Sequence, residues 1–202
     1  MIRTKYRHGL RRGQETPKPP IADPHDWSGL TAVCIGSGPS LTAHDVAVAW
    51  SRGWKMITVN NSWAMQPDAH IHYVGDLRWF RRYADSCNSN GERWTCNREA
   101  YWSYPGLHYH FADGPHCSGY RAIQLAQFFG AVRIILLGYD CSIANGYHWH
   151  GRHRHMLNPN QGQIRRWKEQ YAEFERDNPG LVINASRYTE IAAFPRSTME
   201  DL

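Results

Sequence analysis

The 202-residue sequence predicts an α/β fold, and three observations carry that prediction. Short apolar runs alternate with stretches of helical periodicity, several of the runs are continuously apolar as in strands buried on both faces, and most end on glycine or a small polar residue. Such alternation builds a mostly parallel sheet with helices on both faces, a Rossmann-like arrangement. The length suits one compact domain. With 42% hydrophobic and 20% charged residues the chain can fill a core, which excludes a disordered acidic or low-complexity protein.

Residues 1–29 read as a basic, proline-containing arm. Arg3, Lys5, Arg7, Arg11, Arg12 and Lys18 accompany the Pro17 to Pro20 cluster, and no apolar period seats them on a core. A mobile or loosely docked segment is expected there, either simply solvated or contacting nucleic acid or a partner. Residues 30–202 form the folded domain. Its first strand is Thr31 to Ile35, ending in Gly36-Ser37-Gly38, and Pro39 and Ser40 lead into a helix that runs to about Arg52. A second strand, Lys55 to Val59, ends at Asn60-Asn61, and a third, Ala69 to Val74, at Gly75-Asp76. A helix follows over Leu77 to Ala84, after which the Trp-, Tyr-, Asn- and Arg-rich chain to Tyr104 shows no period and reads as irregular. Leu107 to Phe111 is a candidate fourth strand. Ser118 to Phe129 is a helix with Ala122, Leu125, Ala126 and Phe129 on one side, and Val132 to Leu137 is a buried-type strand ending in Gly138-Tyr139-Asp140. Gln163 to Asp177 pairs Arg165 with Glu169 at helical spacing, and Leu181 to Ile183 is the last strand. No internal repeat is present.

No apolar run reaches the roughly 18 to 20 residues a membrane span needs, and the basic start lacks an apolar signal core, so a soluble, unexported protein is expected. Cys34, Cys87, Cys96, Cys117 and Cys141 are odd in number and form no CxxC pair, which fits reduced thiols in the cytoplasm. A net charge of +5 favours anionic ligands, nucleotides as readily as DNA. The sequence sets no oligomeric state.

Gly36 to Ser40 stands where an open α/β sheet binds its ligands, at the carboxyl end of the first strand and the start of the first helix. There glycines admit a phosphate and helix N–H groups attract its charge; a tight turn with a capped helix is the alternative. The loop is neither GxGxxG, since Leu41 takes the last place, nor a Walker A loop. Asn60, Asn61 and Asp76, at strand ends beside it, are candidates to read a base, ribose or sugar, or are turn formers. The densest signal is His148, His150, His153 and His155 in HWHGRHRH, where imidazoles offer general acid-base chemistry or metal ligation. Spacings of two, three and two match no HExxH site, cysteines are absent nearby, and Asp140 is the obvious carboxylate, so no metal is favoured; were one bound, these four histidines would hold it. Arg152 and Arg154 between them favour an anionic ligand.

In this order the motifs resemble a known superfamily: GxGPSL at Gly36 to Leu41, the Asn pair, Ser118-Gly119 with its helix, ILLGYD at Ile135 to Asp140, then HWHG. The chain from about Thr31 to Pro195 looks like the bacterial lipooligosaccharide sialyltransferases and the archaeal 6-hydroxymethylpterin diphosphokinase-like proteins, and is most similar to a bacteriophage branch of that group. The resemblance implies a transferase with a nucleotide-activated donor, held by Gly36, Gly38, Pro39, Ser40 and Asn60, with Ser118 and Gly119 lining the same site. It implies metal-independent glycosyl transfer to a hydroxyl acceptor, with His148, or His150, as base; Arg152 or Arg154 would stabilise the leaving phosphate. No tightly bound cofactor is implied, and a phage protein of this kind would work in the host cytoplasm. Ser37 departs from the pattern, since those transferases carry Asn there, which leaves the donor's base open. Three other readings follow: pyrophosphoryl transfer from ATP with Mg²⁺ on carboxylates such as Asp76 or Asp140, glycosylation of phage DNA bases with the basic arm engaging the polyanion, and a non-catalytic nucleotide-binding phage protein.

Overall fold

The computed structural model describes residues 16–112, 114–154 and 156–202. Over them the chain forms β1 (Thr31–Ile35), α1 (Ala43–Ser51), β2 (Lys55–Val59), β3 (Ile71–Tyr73), α2 (Leu77–Tyr83), β4 (Glu92–Thr95), α3 (Arg98–Ser103), β5 (Leu107–Tyr109), α4 (Ser118–Phe128), β6 (Arg133–Leu137), α5 (Gln161–Asp177) and β7 (Val182–Asn184). The strands make one sheet in the order β5-β4-β3-β2-β1-β6-β7, and every pairing is parallel. The chain marches outward from β1 to β5 and then crosses back, laying β6 along the free edge of β1 with Val33 opposite Ile135. The α/β, Rossmann-like class expected from the sequence is the fold observed.

Side chains alternate across the pleat, so each strand feeds two cores. Ala32, Cys34, Ile57, Ile134 and Leu136 point to one face, where Ile123 and Leu125 of α4 and Tyr171 and Phe174 of α5 cover them. Val33, Ile35, Met56, Ile135 and Leu137 point to the other, onto Val46 and Ala49 of α1. A third cluster joins Trp79 and Phe80 of α2 and Ala100 of α3 to Val74 and Leu107. Helix starts follow capping chemistry: Thr42 accepts the Asp45 N–H at α1, and Asn160 with Gln163 forms a capping box at α5.

Two expectations need correction. Residues 85–104 are not irregular, since β4 and α3 lie there with Trp94 and Ala100 fully buried. A four-residue strand and a six-residue helix are too short to display a period. The arm does not remain unseated to residue 29. Ala22 N–H donates to Tyr109 O at 2.8 Å, Trp27 N–H donates to Phe129 O at 2.7 Å, and the Trp27 ring, 4% exposed, packs edge-on to Phe129. A single buried tryptophan leaves no periodic trace. Lys18 lies over the Phe111 ring, whereas Arg3, Lys5, Arg7, Arg11 and Arg12 lie outside the described residues. Among the described residues no helix is long and apolar enough to cross a membrane, and all five cysteines are free thiols.

Candidate functional site

The strand order reverses once, between β1 and β6, and ligands of open α/β sheets bind outside the carboxyl ends at such a point. There the loops after the two strands interlock. Gly36 N–H donates to Leu137 O and Gly38 N–H to Gly138 O, both at 2.8 Å. Ser40 donates from its backbone N at 2.9 Å and its Oγ at 2.7 Å to the two carboxylate oxygens of Asp140. A Cβ on Gly38 would stand 1.9 Å from Asp140 Oδ1, and one on Gly36 2.6 Å from Gly138 O. The junction itself therefore requires these glycines. Three further findings attach to this loop. Pro39 and Ser40 do not line the cleft beside it. Asp140 lines it, with each oxygen accepting from Ser40. Helix α1 is capped by Thr42 rather than by the glycine loop, and its N-terminus holds the buried Asp45 carboxylate, paired to Arg187 at 2.7 and 2.8 Å, in the position expected for a ligand's charge.

The cleft, about 650 Å³, is walled by strand ends and by the starts of α2, α3 and α4. Asp76 caps α2 by accepting the Arg78 N–H at 2.8 Å, and Asn97 caps α3 by accepting the Ala100 N–H at 2.8 Å. Ser118 and Gly119 open α4. Arg78 and Arg98 project from the first turns of α2 and α3, exposed, lining the cleft and outside every ion pair among the described residues. Arg121 also lines it, but its guanidinium is spent on the carbonyls of His116 and Gly114 and on Cys96 Sγ. Asn60 sits in the left-handed region at φ 52°, its carbonyl accepting from His72 Nε2, and its Oδ1 is buried without a partner. Trp167, Tyr171 and Ile191 supply an apolar side.

Gly36, Ser37, Gly38, Asn60, Asp76, Ser118, Gly119, Asp140 and His148 thus share one cleft although the sequence separates them widely. Asn61 does not line it: its Oδ1 accepts from Trp79 Nε1 at 2.7 Å and its Nδ2 faces His150 Nε2 at 3.4 Å. The histidine loop divides. His148 and His153 line the cleft, whereas His150, Arg152 and Arg154 line the neighbouring cavity, which His153 also borders. Arg152 lies over the Tyr147 ring at 5.2 Å, and His155 lies outside the described residues. Arg152 and Arg154 therefore do not line the cleft, whereas Arg78 and Arg98 do. Burial, then the neighbouring His153 and His150, brings His148 down to about 4, and burial lowers His150 and His153 too, so the cluster is neutral at pH 7. Reading β4 would have exposed Asn97-Arg98 as a helix start after a strand, the signal needed to find Arg98.

The chain matches no protein-family profile, no curated protein and no solved structure in the comparisons made.

Proposed function

We propose that the protein is a transferase that binds a nucleotide-activated donor in the switch-point cleft and passes a glycosyl group to a hydroxyl acceptor. The observation that carries this reading is the convergence on one cleft of three helix starts, the unpaired Arg78 and Arg98, and the partnerless Asn60 Oδ1. Helix N-termini and guanidinium groups suit a diphosphate, and an amide carbonyl suits an exocyclic amine or a ribose hydroxyl. Of the residues that the superfamily resemblance picks out for the donor, Gly36, Gly38, Asn60, Ser118 and Gly119 line this same cleft, and Pro39 and Ser40 do not. Pyrophosphoryl transfer is less well supported, because each Asp140 oxygen already accepts a hydrogen bond from Ser40 and Asp76 Oδ1 caps α2, which leaves Mg²⁺ little beyond Asp76 Oδ2. In this reading the acceptor hydroxyl is activated beside His148.

A panel of nucleotides and nucleotide sugars, scored by thermal shift and then by calorimetry, tests the reading, since a ligand of the folded state raises its stability. At least one diphosphate or sugar nucleotide is expected to bind. Arg98→Ala should weaken it roughly 10-fold or more, in line with a charge-assisted hydrogen bond. His148→Ala should leave that affinity intact while turnover is lost. Binding of no nucleotide, or binding indifferent to Arg98 and Arg78, would remove the cleft from the donor role.

A further inference from the structure

At the border of the cleft lies a set of three imidazoles on the loop between β6 and α5, of which His148 and His153 line the cleft and His150 the neighbouring cavity. Their ring centroids form a near-equilateral triangle: His148 to His150 5.1 Å, His148 to His153 4.5 Å and His150 to His153 5.0 Å. One nitrogen from each lies within 4.8 Å of the other two. Three imidazole donors around a tetrahedral ion at about 2.1 Å stand about 3.4 Å apart, so ligation asks the nitrogens to draw together by no more than about 1.4 Å.

We propose that His148, His150 and His153 are ligands of a divalent transition-metal site of the zinc class at the border of the switch-point cleft.

Geometry and hydrogen bonding both support ligation. The His148 ring bonds to the Ser37 backbone, yet its Nε2 is buried with no hydrogen-bond partner among the described residues. The His150 ring bonds to its own backbone, and its Nε2 has only the long 3.4 Å approach of Asn61 Nδ2. A metal-binding histidine characteristically gives one ring nitrogen to a backbone or side-chain acceptor and keeps the other bare. The scaffold around them is fixed: Asn158 clamps the His153 backbone by accepting its N–H at 2.9 Å and donating to its carbonyl at 3.0 Å, and Trp79 holds Asn61. Among the described residues the set is three imidazole nitrogens without a carboxylate, which select zinc, cobalt, nickel or copper over magnesium and calcium, which require oxygen. His148 and His153 also line the cleft, so an ion held here stands at its border. The role of the ion, polarising the acceptor hydroxyl, rests on the transferase reading; ligation does not. It departs from the metal-independent chemistry that the resemblance implies.

The test is titration of the chelator-stripped full chain with Zn²⁺ and, separately, Co²⁺ at neutral pH, followed by calorimetry and visible absorption. A single equivalent is expected to bind, with the visible bands of nitrogen-ligated Co²⁺ of low coordination number, while Mg²⁺ gives no heat. His150→Ala and His153→Asn should each lower Zn²⁺ affinity at least about 100-fold, the upper end of what losing even an outer-shell partner costs. His44→Ala, in the separate cluster with Asp45 and Glu200, should leave it unchanged. No Zn²⁺ or Co²⁺ binding by the wild-type chain overturns the proposal, as does binding that survives both triad substitutions. The Co²⁺ spectrum of the wild-type protein needs no variant, so a substitution that misfolds does not shield the idea. Nucleotide affinity of the stripped protein, measured in parallel, separates the two readings: metal without nucleotide leaves the site standing and sinks the transferase, and nucleotide without metal does the reverse.

Discussion

At residue scale, the most constrained position is Gly38. A methyl group there meets a carboxylate oxygen and a carbonyl at once, so Gly38→Ala forces apart the Ser40–Asp140 bonds that close the loop. A loss of about 2 to 4 kcal/mol is expected, visible as a lower urea midpoint; an unchanged midpoint would show that the junction yields without cost. His72 and His110 make a second residue-scale prediction. Both are almost fully buried, and burial, against backbone hydrogen bonds to Asn60 and Phe111, holds each down to about 4. In the unfolded chain histidine titrates near 6.5. Between those values the unfolded chain takes up protons that the folded chain refuses, so stability is level above neutrality and falls as pH drops from about 6.5 toward 4. The loss should be on the order of 2 kcal/mol per histidine at pH 5, checked by urea midpoints at pH 7 and pH 5. Several site residues were legible in the sequence because glycine, asparagine and histidine are conspicuous at strand ends: Gly36, Gly38, Asn60 and His148 all reach the cleft. Spacing does not say which side of a loop faces inward, which is why Pro39, Ser40, Asn61, Arg152 and Arg154 point elsewhere.

At element scale, strands with strong composition were readable and short ones were not. Lys55 to Val59 is a strand in both sequence and structure, with the same bounds. The third strand is three residues, Ile71–Tyr73, although the backbone on either side still bonds to the β4 segment, Glu92 N–H donating to His70 O and Val74 N–H to Trp94 O. β4, with ERWT, has neither length nor alternation to announce it, and its place in the sheet is earned by burying Trp94 and Thr95. The most deeply buried anchor of the segment ahead of β1 is Trp27. Its ring packs edge-on to Phe129 and stacks on His25, and its backbone ties to the end of α4. Trp27→Ala should cost about 3 to 5 kcal/mol and lower the melting temperature by roughly 10 °C. A variant that melts with the wild type would mean that residues 16–29 are an ornament on an independent domain.

At the scale of the whole molecule, alternation of strand and helix foretold the parallel sheet, but nothing local foretold its order, because order depends on which edge of β1 the returning chain finds. That order has a consequence in time. β1 pairs with β2 almost as soon as both exist, whereas its other neighbour is made about a hundred residues later, Val33 waiting for Ile135. At the usual pace of translation the interval is on the order of 5 to 20 seconds. Throughout it an apolar strand, buried on both faces in the finished sheet, offers a bare edge, the feature that invites chaperones or aggregation. The two halves of the junction, Gly36 to Gly38 and Gly138 to Asp140, are born at opposite ends of that wait. Completion of the cleft is therefore a late event in the life of the nascent chain, and a chain released before β6 has most of its sheet and no switch point.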